Sequence, residues 1–166
     1  MNEKKAQALA DVERIAHDIA ATMGLEIVEF VFHSRGKHSL LRIDIDRPGM
    51  PGVGIADCEL MSRSLGDRIE EVSFFEGSYD LQVSSPGLDR PIRSDADLRR
   101  NAGRPVRVEF RDESDKVREL HGTLLDTSGQ DDVRIEAREG EIHVARERIV
   151  LMKQDVLPGG RKRKGP

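Results

Sequence analysis

The chain has very little of several things that would have pointed elsewhere. It holds one cysteine, Cys58, so no disulfide can form within it. It has no tryptophan, one tyrosine and only 4 % aromatic residues overall. Base-stacking platforms for single-stranded nucleic acid are therefore thinly supplied. No apolar run approaches the ~20 residues of a membrane-spanning helix, and no charged-then-apolar leader opens the chain. These absences fit a reducing cytoplasmic setting with no membrane partner.

Charge is plentiful. Charged residues make up 35 % of the 166 positions and hydrophobic ones 37 %, enough for one packed domain or two small ones. The net charge of −4 is unevenly spread. Met1 to Arg90 carries 10 Lys+Arg against 16 Asp+Glu, whereas Pro91 to Pro166 carries 17 against 15. An acidic first half suits a basic protein partner, because complementary potentials steer association. Acidity that merely keeps the chain soluble is the plainer explanation.

Periodicity divides the chain. Leu9, Val12, Ile15, Ala16, Ile19 and Met23 form one stripe of a helix from about Lys4 to Met23, stopped by Gly24. Leu25–His33 is rich in strand formers. Ser34-Arg35-Gly36-Lys37 turns the chain, and Leu41, Ile43 and Ile45 alternate with Arg42, Asp44 and Asp46 in a returning strand with one polar face. The proline- and glycine-rich Arg47–Gly54 is a loop. A second helix over about Ile55–Glu71 buries Ile55, Cys58, Met61, Leu65 and Ile69, with Gly66 an internal cost. A strand from Tyr79 completes an α-β-β-α-β order, in which the helical crossover favours a parallel last pair.

After the short helical turn that follows residue 93, ended by Gly103-Arg104-Pro105, the helical period disappears. Ser94 caps a short turn through Asp95, Asp97 and Leu98. Val106–Phe110, Glu119–Leu125, Val133–Ala137, Ile142–Ala145 and Ile149–Met152 then read as five short strands, with Gly122 at a sharp bend. Closure would hide their edges, so a small all-β barrel is expected. The fold class is thus α+β: a two-layer N-terminal domain over 1–92, a β-barrel domain over 93–154, and a basic tail over 155–166 that includes Arg161-Lys162-Arg163-Lys164 and is expected to be disordered.

Catalytic chemistry finds no foothold. The five histidines pair neither with each other nor with Cys58 at ligand spacing, so no metal is expected. Asp44 and Asp46 share a strand face, which an ordinary solvent-facing alternation explains. Ser84 and Ser85 sit at a turn but lack the glycine context of a nucleophile elbow, and the glycines between Gly49 and Gly54 lack a phosphate loop's lysine. No cofactor is expected. Phe30 and Phe32 are better read as core than as base-stacking residues. The arginines Arg90, Arg93, Arg99, Arg100, Arg104 and Arg107 form a sequence cluster that could meet phosphate oxygens, or be a solvated, ion-paired face.

One stretch is more specific than any of these: Tyr79 to Ile92, YDLQVSSPGLDRPI. An alternating strand runs into Ser85-Pro86-Gly87, where a tight turn at Pro86-Gly87 is expected. Asp89, Arg90 and a second proline, Pro91, follow. It closely resembles the signature of the bacterial RimP family of ribosome maturation factors, departing at Gln82, where an acid is usual, and at Ile92, where leucine is usual. Asp57-Cys58 and Ser62-Arg63 are similar to a further family stretch.

The resemblance implies a non-enzymatic cytoplasmic factor, monomeric, with an Sm-like or SH3-like C-terminal barrel. It would bind the free or immature small ribosomal subunit and assist incorporation of small-subunit ribosomal protein twelve, largely through that barrel. rRNA is a further candidate partner. Candidate partner-binding residues are Ser84, Ser85, Pro86, Gly87, Asp89, Arg90, Arg93, Arg104 and Arg107. A general Sm-like RNA-binding module and an enzyme acting on rRNA or a ribosomal protein are the competing readings.

Overall fold

The computed structural model describes residues 3–35, 38–72 and 77–156. Of the expected turn Ser34-Arg35-Gly36-Lys37, Ser34 and Arg35 continue the first strand, whereas Gly36-Lys37, like the basic tail from Leu157 onward, lie outside the described residues. The chain separates into two compact units. The first comprises Met1–Arg47 with Pro51–Pro86, and the second Pro48–Met50 with Gly87–Pro166.

The first unit runs α1 (Glu3–Thr22), β1 (Glu26–Arg35), β2 (His38–Asp46), α2 (Ile55–Glu71) and β3 (Ser78–Ser84). Its sheet is ordered β1-β2-β3. β1 and β2 are antiparallel, with Phe30 opposite Ile43, and β2 and β3 are parallel, with Ile43 opposite Val83. The expected order and the parallel crossover are both present. Val12, Ala16 and Ala20 of α1, Leu41, Ile43 and Ile45 of β2, and Met61, Leu65 and Ile69 of α2 make the core. Phe30 and Phe32 pack against it, as expected, and the Lys5 ammonium lies 5.8 Å from the Phe32 ring centre.

Three expectations for this unit fail. Of the expected buried stripe of α2, Ile55 is 81 % exposed and Cys58 is only half-buried. Asp44 and Asp46 do not face solvent; both are buried. β2 is the middle strand, and its C-terminal half is covered on both faces, unlike a half-solvated hairpin strand. Asp44 meets its charge requirement there through Arg42, whose guanidinium donates at 2.7 and 3.2 Å, and Asp46 accepts from the Arg47 amide at 2.8 Å.

The second unit contains α3 (Asp95–Asn101), β4 (Pro105–Arg111), β5 (Val117–Leu124), β6 (Asp132–Ala137), β7 (Gly140–Ala145), a 3-10 turn (Arg146–Arg148) and β8 (Ile149–Gln154). Ser94 caps α3 by accepting from the Asp97 amide at 3.1 Å, while Asp97 accepts from the Ser94 amide at 3.0 Å. All five expected strands are found. They form one antiparallel sheet ordered β7-β6-β5-β4-β8. The expected closed barrel is not formed. The 3-10 turn between β7 and β8 is a corner, not a hairpin; it sends β8 to pair with β4, leaving β7 and β8 as the sheet's two edges.

The sheet still wraps a core of Leu98, Val106, Val108, Leu124, Val133, Ile135 and Met152. Ile92, expected at the end of the first domain, is buried in this second core. β5 pairs with β4 along seven positions but with β6 only at Thr123 and Leu124. The bend falls at Gly122, where a Cβ would lie 2.5 Å from the Glu136 carbonyl oxygen and 2.6 Å from Ile135 Cγ2. Only glycine admits that approach.

Candidate functional site

The loop Arg47–Gly54 gives way to α2 under the control of one ion pair. Arg47 donates to the Gly52 carbonyl at 3.0 Å and to both Asp57 oxygens at 2.9 and 3.2 Å. Asp57 also accepts from the Gly54 amide at 2.9 Å, one of the unpaired donors at the helix start. The Arg47 bond, then the Gly54 amide, hold the Asp57 carboxyl below its ordinary pKa. One turn on, burial first and then the Asp57 and Asp44 charges raise the Cys58 thiol, so Cys58 is a poor nucleophile.

This arrangement opens a groove of about 860 Å³ within the first unit. One wall is Val53, Gly54 and the α2 residues Ile55, Cys58, Glu59, Ser62 and Arg63; the other is Leu81 to Ser85 at the end of β3. Two stretches singled out separately in the sequence thus share one groove. Its apolar wall residues Cys58, Leu81 and Val83 are only half-buried, whereas Leu41 and Ile43 on neighbouring β2 are 0 % exposed.

At the groove's end Ser84 donates from Oγ to Asp44 Oδ1 at 2.9 Å, and Ser85 is exposed. Pro86 is half-buried. In the second unit Gly87 takes φ +77°, as the expected turn requires, but the turn itself lies at Leu88–Asp89. Asp89 is fully exposed and 3.5 Å from the Lys153 ammonium. Arg90 is half-buried. Pro91 then bridges to Lys153 of β8, and the Ile92 amide donates to the Met152 carbonyl at 2.8 Å, so the end of the signature is strapped to the second unit's sheet.

The arginine cluster does not make one surface. Arg93 and Arg99 are exposed. Arg100 and Arg104 are buried, at 5 % and 4 % exposure. Arg100 pairs with Asp97, where burial opposes ionisation but the Ser94 and Arg93 donors and the Arg100 charge keep the carboxyl below its ordinary pKa. Arg104 donates from Nε to the Gly49 carbonyl at 2.7 Å and from Nη1 to Asn101 Oδ1 at 3.2 Å. Arg104 is thus a structural arginine and not a partner-facing one. Arg107 lies 3.3 Å from Glu109 and 3.7 Å from Glu119.

Residues 15–89 match the model of the RimP N-terminal domain. Over 139 residues the chain is 36 % identical to ribosome maturation factor RimP of Synechococcus elongatus, covering 84 % of this chain and 90 % of the relative. The same values hold for ribosome maturation factor RimP of a second Synechococcus strain. This chain belongs to the RimP family. Within a RimP chain, the residues that sequence reasoning missed are Val53, Gly54, Ile55 and Glu59. Their only sequence signal was an apolar residue in the first turn of a helix after a proline- and glycine-rich loop.

Proposed function

We propose that this protein assists maturation of the small ribosomal subunit, binding the free or immature subunit and helping to install small-subunit ribosomal protein twelve. The observation that carries this is the 36 % identity over 84 % of the chain to relatives named ribosome maturation factor RimP. The charge distribution supports a basic protein as the direct partner: Pro51–Pro86, which supplies both groove walls, has seven acidic residues against two basic ones. A general RNA-binding module is less well supported, because two of the six clustered arginines, Arg100 and Arg104, are buried and internally bonded. Candidate contact residues are Ser84, Ser85, Pro86, Gly87, Asp89, Arg90 and Arg93, with Arg107 at the margin.

Sucrose-gradient sedimentation of cell extract, blotted for this protein, tests the reading. The protein co-sediments with small subunits and their precursors and is depleted from translating ribosomes. A strain lacking it accumulates immature small-subunit rRNA in the cold. Normal rRNA processing and normal subunit ratios in that strain would overturn the proposal.

A further inference from the structure

β3 is the edge of its sheet, and it runs parallel to β2. Parallel strands are ordinarily covered on both faces and flanked on both sides, so this is an uncommon position for one. An edge presents a row of backbone N–H and C=O groups at about 3.3 Å per residue, a template for another strand. Strand edges are commonly blunted by lysine, proline or a bulge. β3 has no lysine or proline, its pairing with β2 runs in register from Ser78 to Ser84, and its one charged residue, Asp80, is held by His38 at 3.0 Å.

The groove continues this edge outward. Leu81 and Val83 are half-exposed on one side, and Ile55 and Cys58 face the same space from α2. Backbone donors and acceptors beside alternate apolar pockets are what an extended peptide needs when it adds to a sheet.

Charge selects the occupant. The segment building both walls, Pro51–Pro86, has seven acidic and two basic residues; on the wall itself exposed Glu59 is matched by exposed Arg63, so the negative potential that favours a basic strand is that of the segment as a whole. Glu70 lies close enough to raise the Tyr79 phenol, second to burial, so negative potential continues along the α2 side. The chain's own basic end, Arg161-Lys162-Arg163-Lys164, carries the right charge but no apolar side chain to fill alternate pockets.

We propose that the outer edge of β3 between Leu81 and Ser84, with the groove under α2, binds an extended basic peptide segment of a partner protein as a fourth strand of the sheet. The reading above supplies the source of such a segment, a basic ribosomal protein; the edge and the groove supply the chemistry.

The test uses the full chain and a ten-residue peptide of alternating valine and lysine, with amide exchange read by NMR. In the free chain, the outward-pointing amides of Leu81–Ser84 exchange fast. The peptide protects them at least tenfold. A peptide with proline at every valine position keeps the charge but cannot complete a ladder, and it binds at least tenfold more weakly. A valine–glutamate peptide does not bind. Ser62→Phe, which fills the groove, weakens the valine–lysine peptide at least tenfold.

Equal binding of the valine–lysine and proline peptides would mean plain electrostatic attraction and would overturn the proposal. So would protection that appears with rising protein concentration and no peptide, since the occupant would then be a second copy. Protection present without peptide and lost on deleting residues 158–166 would make the chain's own tail the occupant and would overturn it too. If the peptide protects β3 but the intact protein does not sediment with small subunits, the ribosomal reading fails and this one stands. Sedimentation with β3 left unprotected gives the reverse.

Discussion

Ser84 Oγ donates to Asp44 Oδ1 at 2.9 Å, tying the last residue of β3 to the middle strand just before the chain enters its signature turn. The two residues are also opposite one another in the parallel register. Asp44 is held from the other side by Arg42, so a buried carboxylate fixes where β3 ends.

Ser84→Ala removes one of the Asp44 donors and leaves Arg42 in place. A loss of about 1 kcal/mol in unfolding free energy is expected. Asp44→Ala strips both donors of their acceptor and costs more. The double variant should cost less than the two singles together, a coupling that urea denaturation of all three measures. Strict additivity would show that the hydrogen bond does not hold the strand end.

Gly87→Val is expected to destabilise the protein by about 1–2 kcal/mol, because the chain there has φ +77°. Nothing lies within 4 Å of an added Cβ, so the cost is backbone strain alone. Gly87→Asn, which accepts positive φ more readily, should recover much of it. Thermal melts of the two variants compare directly.

Gly122 and Gly66 should respond in opposite directions to alanine. At Gly122 the new methyl group meets the Glu136 carbonyl at 2.5 Å, so a loss of about 1–3 kcal/mol is expected. At Gly66, inside α2, nothing lies within 4 Å, and alanine should gain about 1 kcal/mol of helix stability. Chemical denaturation of both variants settles the signs.

Arg104 and Arg93 separate structure from surface. Arg104→Ala leaves the Gly49 carbonyl and Asn101 without their charged donor, and a loss of about 2–4 kcal/mol is expected. Arg93 is exposed, so Arg93→Ala should leave the denaturation midpoint unchanged. Any effect of Arg93→Ala on subunit sedimentation then reports binding, whereas an Arg104→Ala effect should follow the folded fraction.

His121 is gripped by two carboxylates, Asp155 at 2.6 Å and Glu119 at 2.7 Å. The Asp155 bond first, then the Glu119 bond, raise its pKa above the ordinary 6.5. A raised histidine stabilises the fold fully below the unfolded value and loses that contribution as pH climbs through the folded one. Stability should therefore fall on the alkaline side of about pH 6.5. His121→Gln should flatten that decline, and the imidazole proton shifts should titrate late. A His121 titration at or below 6.5 would remove the basis for it.

Much of this was readable from residues. α2 was bounded by its proline- and glycine-rich approach and its apolar stripe, and the parallel β2–β3 pair followed from a helix lying between two strands. The misreadings share one cause. Alternation on β2 implies a wet face, but a central strand bridged by Arg42 and Ser84 has none, so Asp44 is buried. Counting arginines from Arg90 to Arg107 records charge and not depth, and Arg100 and Arg104 proved internal. Five short strands suggested closure, yet the corner at Arg146–Arg148 decides whether the two edges meet. The groove was invisible because it depends on the spacing between α2 and β3, which no local pattern encodes.

The three residues Pro48–Met50 belong to the second unit, although they lie between segments of the first. Gly49 donates its amide to the Arg100 carbonyl at 3.0 Å and accepts from Arg104, 55 residues further along the chain. A polypeptide made from its N-terminus therefore exposes one piece of the second unit long before the rest exists. A fragment beginning at Gly87 would carry a buried guanidinium with no Gly49 carbonyl to receive it. The second unit, though mostly contiguous, is completed only by a loop that leaves the ribosome early and must wait for its partners.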